Sequence, residues 1–401
     1  MPAERPLRVA LLTHSINPRG GVVHCLELAE ELTALGHAVT VHAPGPAGAR
    51  FFRETRYATR LIPEQPTTGG LRELVQSRIG RFVDWFAIPG NADFDIFHAH
   101  DGIGANALLD LRQRGLIPGY LRTVHHLDTS YGDAVVDALE ARSIHGADRL
   151  LCVSPTWQRK LRQRFGLAAA IVGNGVDSAR FTPTPSAVDT QLRARLGLAQ
   201  GPNRVPVFLA VGGIEARKNT VATLRAFARL RRTLGAAQLV IAGGASLLDH
   251  GAYQRQFDAS LAEEGLATGP GEAVILAGVL ADDKMPALYR LADALVFVSL
   301  LEGFGLAIVE AMASGTPVVV SRIAPFTGFL GADDCLWAEP TDPESIANAM
   351  CRALMPGARA RLAAAGHQVA ARHDWPGCAR RHLDAYAALL NPATRMEFDH
   401  A

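Results

Sequence analysis

The sequence has no run approaching the ~20 apolar residues needed to cross a bilayer, and its cysteines are few. Cys25, Cys152, Cys335, Cys351 and Cys378 are odd in number, scattered and never in a C-x-x-C pair. They suggest neither a disulfide framework nor a zinc site, and idle thiols in a reducing compartment are the plain reading. A surplus of positive charge is missing too: 40 Lys and Arg face 39 Asp and Glu, so nothing is left over to neutralise the phosphates of a nucleic acid, local patches aside. Met1 to Pro6 run straight into the apolar Arg8–Leu12 segment without a signal-peptide h-region or cleavage site. A cytoplasmic protein with no nucleic-acid partner is expected.

What is present is length and a steady alternation. At 401 residues the chain exceeds one ordinary core, so two domains of somewhat under 200 residues are expected. In the first half, Leu7–Leu12, Ala38–His42, Ile96–His98, Tyr120–Val124, Arg149–Val153 and Ala169–Val172 read as strands. Their near-continuous apolar character suits parallel strands covered on both faces. Between them lie amphipathic segments such as Val22–Leu35, which stops at Gly36. The second half repeats the rhythm with strands at Val205–Val211, Gln238–Ala242, Val274–Leu276, Ala294–Val298, Pro317–Val320 and Cys335–Trp337. Two doubly wound α/β domains follow, at 1–180 and 181–375, facing across a cleft. A hinge is placed near 174–200, where Thr182-Pro-Thr-Pro-Ser186 has linker chemistry. The last helical pattern, within 376–401, is free to cross back to the first domain.

The most informative segment runs from Ser299 to Gly315. A strand ends, Glu302-Gly303-Phe304-Gly305 turns, and a helix begins at Leu306. Glycines let the backbone present bare amides, and the new helix adds its unpaired N–H groups and positive dipole end, a site suited to a diphosphate. Glu302 lies before the helix and Glu310 within it, so two carboxylates flank the anion. A turn with two solvated acids is the plainer alternative. A second station, Val211-Gly-Gly-Ile-Glu-Ala-Arg-Lys-Asn219, follows the second domain's first strand and places Arg217 and Lys218 at a helix start, where cations are poorly placed unless an anion lies between them.

Glu302 and Glu310 form the E-x7-E pattern of family-4 glycosyltransferases, and Ser299–Val320 resembles that family's signature almost throughout. The resemblance extends to the glycogen synthase-like and mannosyltransferase-like group. It implies a GT-B fold of two Rossmann-like domains and retaining transfer of a sugar from a nucleotide diphosphate donor, without a metal or other cofactor. A UDP-sugar is expected ahead of a GDP-sugar. It also implies that Glu302 touches the donor sugar, that the amides of Gly303, Phe304, Gly305 and Leu306 hold the diphosphate, and that Glu310 binds the ribose. Arg217 and Lys218 resemble the family's basic pair, with one departure: many relatives carry Arg immediately after the strand's Gly, where this chain has Gly213.

In the first domain, Gly20 and Gly21 resemble the Gly-Gly loop against the donor phosphates, with a tight turn as the alternative. The loop is not G-x-G-x-x-G, which argues against NAD. Val279, after Gly278, resembles the base-contacting segment. His98-Ala-His100-Asp101 and Thr123-Val-His125-His126-Leu-Asp128 resemble strand ends whose histidines meet sugar; His125 is the first choice, with His126 and His100 behind it. A metal cluster and a packing role are the competing readings of these histidines. Asp93-Phe-Asp95 looks like a D-x-D motif but reads as structural. Leu71–Phe86 is a basic amphipathic helix that either packs on its own sheet or touches a membrane; peripheral membrane contact is not favoured. The acceptor, whether small molecule, glycan or lipid-linked, is not encoded legibly; its contacts are expected in loops 44–72 and 127–134. A nucleotide-sugar 2-epimerase and a phosphorylase are the rival activities of the same architecture.

Overall fold

The computed structural model describes residues 5–64, 69–244 and 251–391. Contacts divide the chain into two compact units: Met1–Asn174 together with Trp375–Ala401, and Gly175–Asp374. Residues 65–68 of the expected acceptor loop, and 392–401 of the terminal segment, lie outside the described residues.

The first unit is built on strands β1 (Arg8–Leu12), β2 (Ala38–Gly45), β3 (Ala58–Pro63), β4 (Ile96–Ala99), β5 (Leu121–Val124), β6 (Arg149–Cys152) and β7 (Ala170–Ile171). All pair in parallel, in the order β3-β2-β1-β4-β5-β6-β7. Helices α1 (Gly20–Ala34), α2 (Leu71–Ala87), α3 (Gly102–Gln113), α4 (Ala134–His145) and α5 (Pro155–Phe165) connect them. The second unit opens with α6 (Ala187–Leu196) and sets strands β8 (Val207–Val211), β9 (Gln238–Ala242), β10 (Val274–Gly278), β11 (Ala294–Phe297), β12 (Val318–Ser321) and β13 (Leu336–Ala338) in the order β10-β9-β8-β11-β12-β13, again all parallel. Its helices are α7 (Thr220–Leu234), α8 (Gly251–Glu263), α9 (Met285–Leu291), α10 (Leu306–Ala313), α11 (Pro343–Ala353) and α12 (Ala358–Ala371). The terminal α13 (Trp375–Leu390) belongs to the first unit and packs on α1.

The strands form where the sequence offers unbroken apolar runs, because helices cover both faces; β8 and β9 are almost wholly buried. Each sheet grows outward from its first strand and then restarts on the other side. That places a topological switch point between β1 and β4, and another between β8 and β11, with ligand space expected beyond their carboxyl ends.

Three local features differ from the sequence reading. Strand β3 was not expected: it pairs on one side only, and just Ile62 is buried, so it lacks the apolar run of a central strand. Helix α1 starts at Gly20 rather than Val22, so both glycines sit in its first turn. The linker-like Thr182–Ser186 leads into α6, where Ser186 and Asp189 form a capping box. Arg290 clamps Asp189 at 2.6 and 2.9 Å and reaches the Thr182 carbonyl at 3.1 Å, so that segment is fastened to the second unit.

Asp93 and Asp95 act as structural groups. Asp95 accepts from the Arg8 backbone N–H at 2.8 Å and from Arg5 at 2.7 Å, fixing the entry of β1, while Asp93 pairs with Arg8. In α2, Ile79, Phe82, Val83 and Phe86 join a core with Phe97 and Leu108, and Arg78 forks onto Glu64 at 2.8 Å. The apolar stripe of that helix is therefore spent on its own sheet.

Candidate active site

The site of the second unit is assembled at its switch point, where the loop after β8 meets the loop after β11. Leu300 N–H donates to the Arg217 carbonyl at 2.8 Å, and Arg217 Nη1 returns a bond to the Leu301 carbonyl at 3.2 Å. Asn219, at φ 59°, ties both loops down by donating to Val298 and Pro340 carbonyls at 3.1 and 2.6 Å. This lacing brings Lys218 Nζ within 2.6 Å, and Arg217 Nη1 within 3.0 Å, of the same oxygen, Oε1 of Glu302. Lys218 also stands over the Phe297 ring at 4.7 Å.

Glu302 is 8% exposed. Burial alone would raise its carboxyl; the charges of Lys218 and Arg217 overcome that and hold it at about 2. Burial in turn pulls the Lys218 ammonium down, an effect Glu302 partly offsets. Buried Glu215, 3.6 Å from Arg217, supplies a second carboxylate. Two cations and two anions thus share one corner of the unit. Glu302 and Glu215 are buried while the Arg217 side chain keeps 30% exposure, and stripping a partner from a buried charge is costly.

The Glu302-Gly303-Phe304-Gly305 turn then opens α10 at Leu306. Gly305 sits at φ 96°, and a Cβ there would lie 2.8 Å from Phe326. Phe304 is wedged between Phe329, stacked at 4.8 Å, and His373 at 5.2 Å, so the turn is held from behind by aromatic packing. In its first turn Ile308 N–H donates to the Gly305 carbonyl at 2.9 Å, and the amides before it have no acceptor within the helix. One turn further on, Glu310 Oε2 accepts the hydroxyl of buried Tyr289 at 2.7 Å.

Beside the triad the ends of β8, β9 and β10 approach closely. Gly212 and Gly213 amides both donate to the Ala242 carbonyl, at 2.8 and 3.0 Å, and Gly243 donates to Gly278 at 2.8 Å. Val279, 60% exposed, follows β10 next to Gly244. The missing arginine has a physical cause here: Gly213 is at φ 77°, and a Cβ on it would lie 2.9 Å from the Gly244 carbonyl oxygen.

In the first unit the expected residues gather at the carboxyl ends of β1, β4 and β5. Gly21 lies against His125, whose Cδ2 would be 3.0 Å from a Cβ at that glycine; Gly20 has open space around it. His100 Nδ1 is 3.3 Å from His125 Nε2. Burial, then the neighbouring imidazoles, push both rings well below the ordinary histidine range. His98 is a packing residue, bonded at 2.8 Å to both Tyr386 and Thr123. His126 is exposed, 3.8 Å from Asp128.

Sequence reasoning passed over Glu215, Asn219 and Tyr289. Tyr289 acts through a residue 21 positions away and Asn219 through a left-handed backbone angle, whereas Glu215, two residues before Arg217, stood beside the basic pair in the sequence.

The comparisons bear on family and fold. Residues 18–180 match the model described as Glycosyltransferase Family 4, and residues 198–368 match Glycosyl transferases group 1. The D-inositol 3-phosphate glycosyltransferase of Acidothermus cellulolyticus is 30% identical over 315 residues, spanning 74% of this chain and 68% of that protein. Among solved structures, sucrose-phosphate synthase from Thermosynechococcus elongatus superposes with a TM-score of 0.78 at 23% identity, covering 96% of this chain and 99% of that one. Anabaena HepE, solved in complex with UDP and glucose, gives 0.73 at 17% identity, covering 95% and 100%. Two doubly wound parallel sheets with a charged switch-point site define a GT-B glycosyltransferase. The chain belongs to glycosyltransferase family 4 and is a transferase enzyme.

The close approach at Gly213 makes a direct forecast. Gly213→Arg, which supplies the arginine that the family resemblance implies, should cost about 1–3 kcal/mol from backbone strain, with the clash added, in a denaturant melt. It should not raise turnover; an unchanged midpoint with faster turnover would show that the backbone is not the obstacle.

Proposed function

We propose that this glycosyltransferase moves a sugar from a nucleotide diphosphate donor to its acceptor with retention of anomeric configuration, and without a metal at the reacting centre. The observation that carries the proposal is the buried Glu302 carboxylate between Lys218 and Arg217, beside the glycine turn that opens α10. Cations confined at a helix start, and neutralised only by carboxylates, fit a diphosphate that takes over their pairing. On this reading the amides from Gly303 to Leu306 complete the phosphate cradle. Glu302, released from the cations, turns to the sugar. Glu310, held by Tyr289, accepts from the ribose hydroxyls, and Val279 lies against the base. In the first domain His125 contacts the donor sugar, with His100 behind it, His126 in reserve, and Gly20 and Gly21 serving the phosphates.

As the glycosidic bond lengthens, negative charge grows on the departing phosphate, and fixed cations favour that state over the ground state. A phosphate oxygen of the leaving group takes the acceptor's proton on the same face, so no glycosidase-like carboxylate pair is required. UDP is the nucleotide we favour, in keeping with the ligand of the Anabaena protein. The acceptor class, whether small molecule, glycan or lipid-linked, is left open. No helix among the described residues is long and apolar enough to cross a membrane, and a cytoplasmic setting belongs to the same reading.

Product analysis tests the reaction type. With EDTA present, proton NMR should show a product that keeps the donor's anomeric configuration. An inverted product, or turnover restored only by manganese or magnesium, would contradict the mechanism. A 2-epimer formed without acceptor, or sugar 1-phosphate formed from added inorganic phosphate, would favour the rival activities.

Kinetics test the residues. A fixed charge-assisted donor at developing charge accounts for a factor on the order of 10² to 10³ in turnover. Lys218→Ala should lower kcat by that much, and Arg217→Ala comparably, because Gly213 offers no third cation. Donor KM should move less. If Arg217→Ala keeps near-normal kcat, the site runs on one cation; if both variants do, the diphosphate lies elsewhere.

A further inference from the structure

The first unit contains a buried constellation that the glycosyl-transfer reading does not use. His24 on α1 faces Cys378 and His382 on α13, where the Cys-x3-His spacing puts both side chains on one face of the helix. All three are fully buried, and one ligand atom from each lies within 4.8 Å of the others.

Their hydrogen bonds decide where the lone pairs point. His382 Nδ1 is 2.9 Å from the Cys378 carbonyl oxygen, which only accepts, so the proton sits on Nδ1 and Nε2 is bare. His24 Nδ1 is 2.8 Å from Asn174 Oδ1, which likewise accepts, so His24 Nε2 is bare too. Those two bare nitrogens face each other at 3.5 Å. Two imidazole lone pairs directed at one another repel. A shared proton would put an imidazolium in a site without exposed surface and near the Arg381 charge. A tetrahedral zinc ion, with Zn–N bonds of about 2.0–2.1 Å, holds two nitrogens roughly 3.4 Å apart, close to the observed spacing.

We infer that His24, His382 and Cys378 form a structural binding site for a thiophilic divalent cation, zinc by ligand chemistry, that fastens α13 to α1. Two neutral imidazoles and a thiolate are a zinc-type ligand set. Cys378 Sγ, now 3.6 Å from the Gly173 carbonyl oxygen and 3.7 Å from the protonated His382 Nδ1, turns toward the two bare Nε2 atoms to bind as thiolate, and its proton leaves to solvent. His100, with its ring centroid 5.4 Å from that of His24 and its Nε2 buried without a partner, adds a further nitrogen to the cluster. The site adjoins the proposed sugar-contacting histidines, the His24 ring lying 4.8 Å from that of His125, and its metal has no part in the transfer step.

Cobalt(II) titration of the full chain, after purification in chelator and exchange into metal-free buffer, is the test. About one cobalt per chain should bind, with a thiolate-to-cobalt charge-transfer band that zinc abolishes by displacement. Cys378→Ser should lose the band, and Cys351→Ser, at an exposed cysteine of α11, should keep it. Zinc should also raise the thermal midpoint of the wild type but not of Cys378→Ser. Should Cys378→Ser fail to fold by circular dichroism, His382→Gln serves in its place, with a lost band expected. No cobalt band in the wild type, or a band that survives Cys378→Ser or a folded His382→Gln, would overturn the site. In that case the pair is satisfied by a reversed Asn174 amide, and His24 Nε2 donates to His382.

Discussion

A carboxylate buried between two cations is stable only while all three charges stay paired, and much of the second domain serves that requirement. Lys218 and Glu302 are 84 residues apart and reach 2.6 Å because the strand order seats β8 beside β11. Asn219 adopts a left-handed backbone to fasten the two loops, and Phe297 lies under the ammonium. Opening this corner to bulk water would screen the pairs, and stripping a partner would strand a charge. On the proposed reading, an anion that brings its own negative charge at the right spacing takes over that pairing.

Much of this architecture was legible because parallel strands covered on both faces announce themselves as unbroken apolar runs. Val207–Val211 and Gln238–Ala242 are such runs, and the E-x7-E turn between β11 and α10 declared itself by glycine and carboxylate spacing. Strand β3 escaped for the same reason in reverse: an edge strand with one buried residue has no such run. Segment 187–196 hid behind proline-rich linker chemistry, although the Ser186 and Asp189 capping box was there to be read.

The site was legible in its residues but not in its contacts. Nothing local says that Tyr289 holds Glu310. The departure at Gly213 looked like a lost cation. Its backbone angle and the neighbouring Gly244 carbonyl show a position where no side chain fits. In the first domain the sequence grouped the histidines by strand, whereas the fold groups them by depth. His98 is a packing residue, His125 lies beside Gly21 with His100 against it, and His24 turns toward α13.

On the proposed reading, Lys218 and Arg217 exchange Glu302 for the donor's diphosphate. The most direct measurement is calorimetric binding of UDP and UMP to the wild type and to Lys218→Met. A charge-assisted bond to the terminal phosphate contributes about 1.5–3 kcal/mol, so the wild type should prefer UDP by roughly tenfold or more. In Lys218→Met most of that preference should vanish while UMP binding stays near normal. An equal preference for UDP in both proteins would contradict the account and place the terminal phosphate away from this corner.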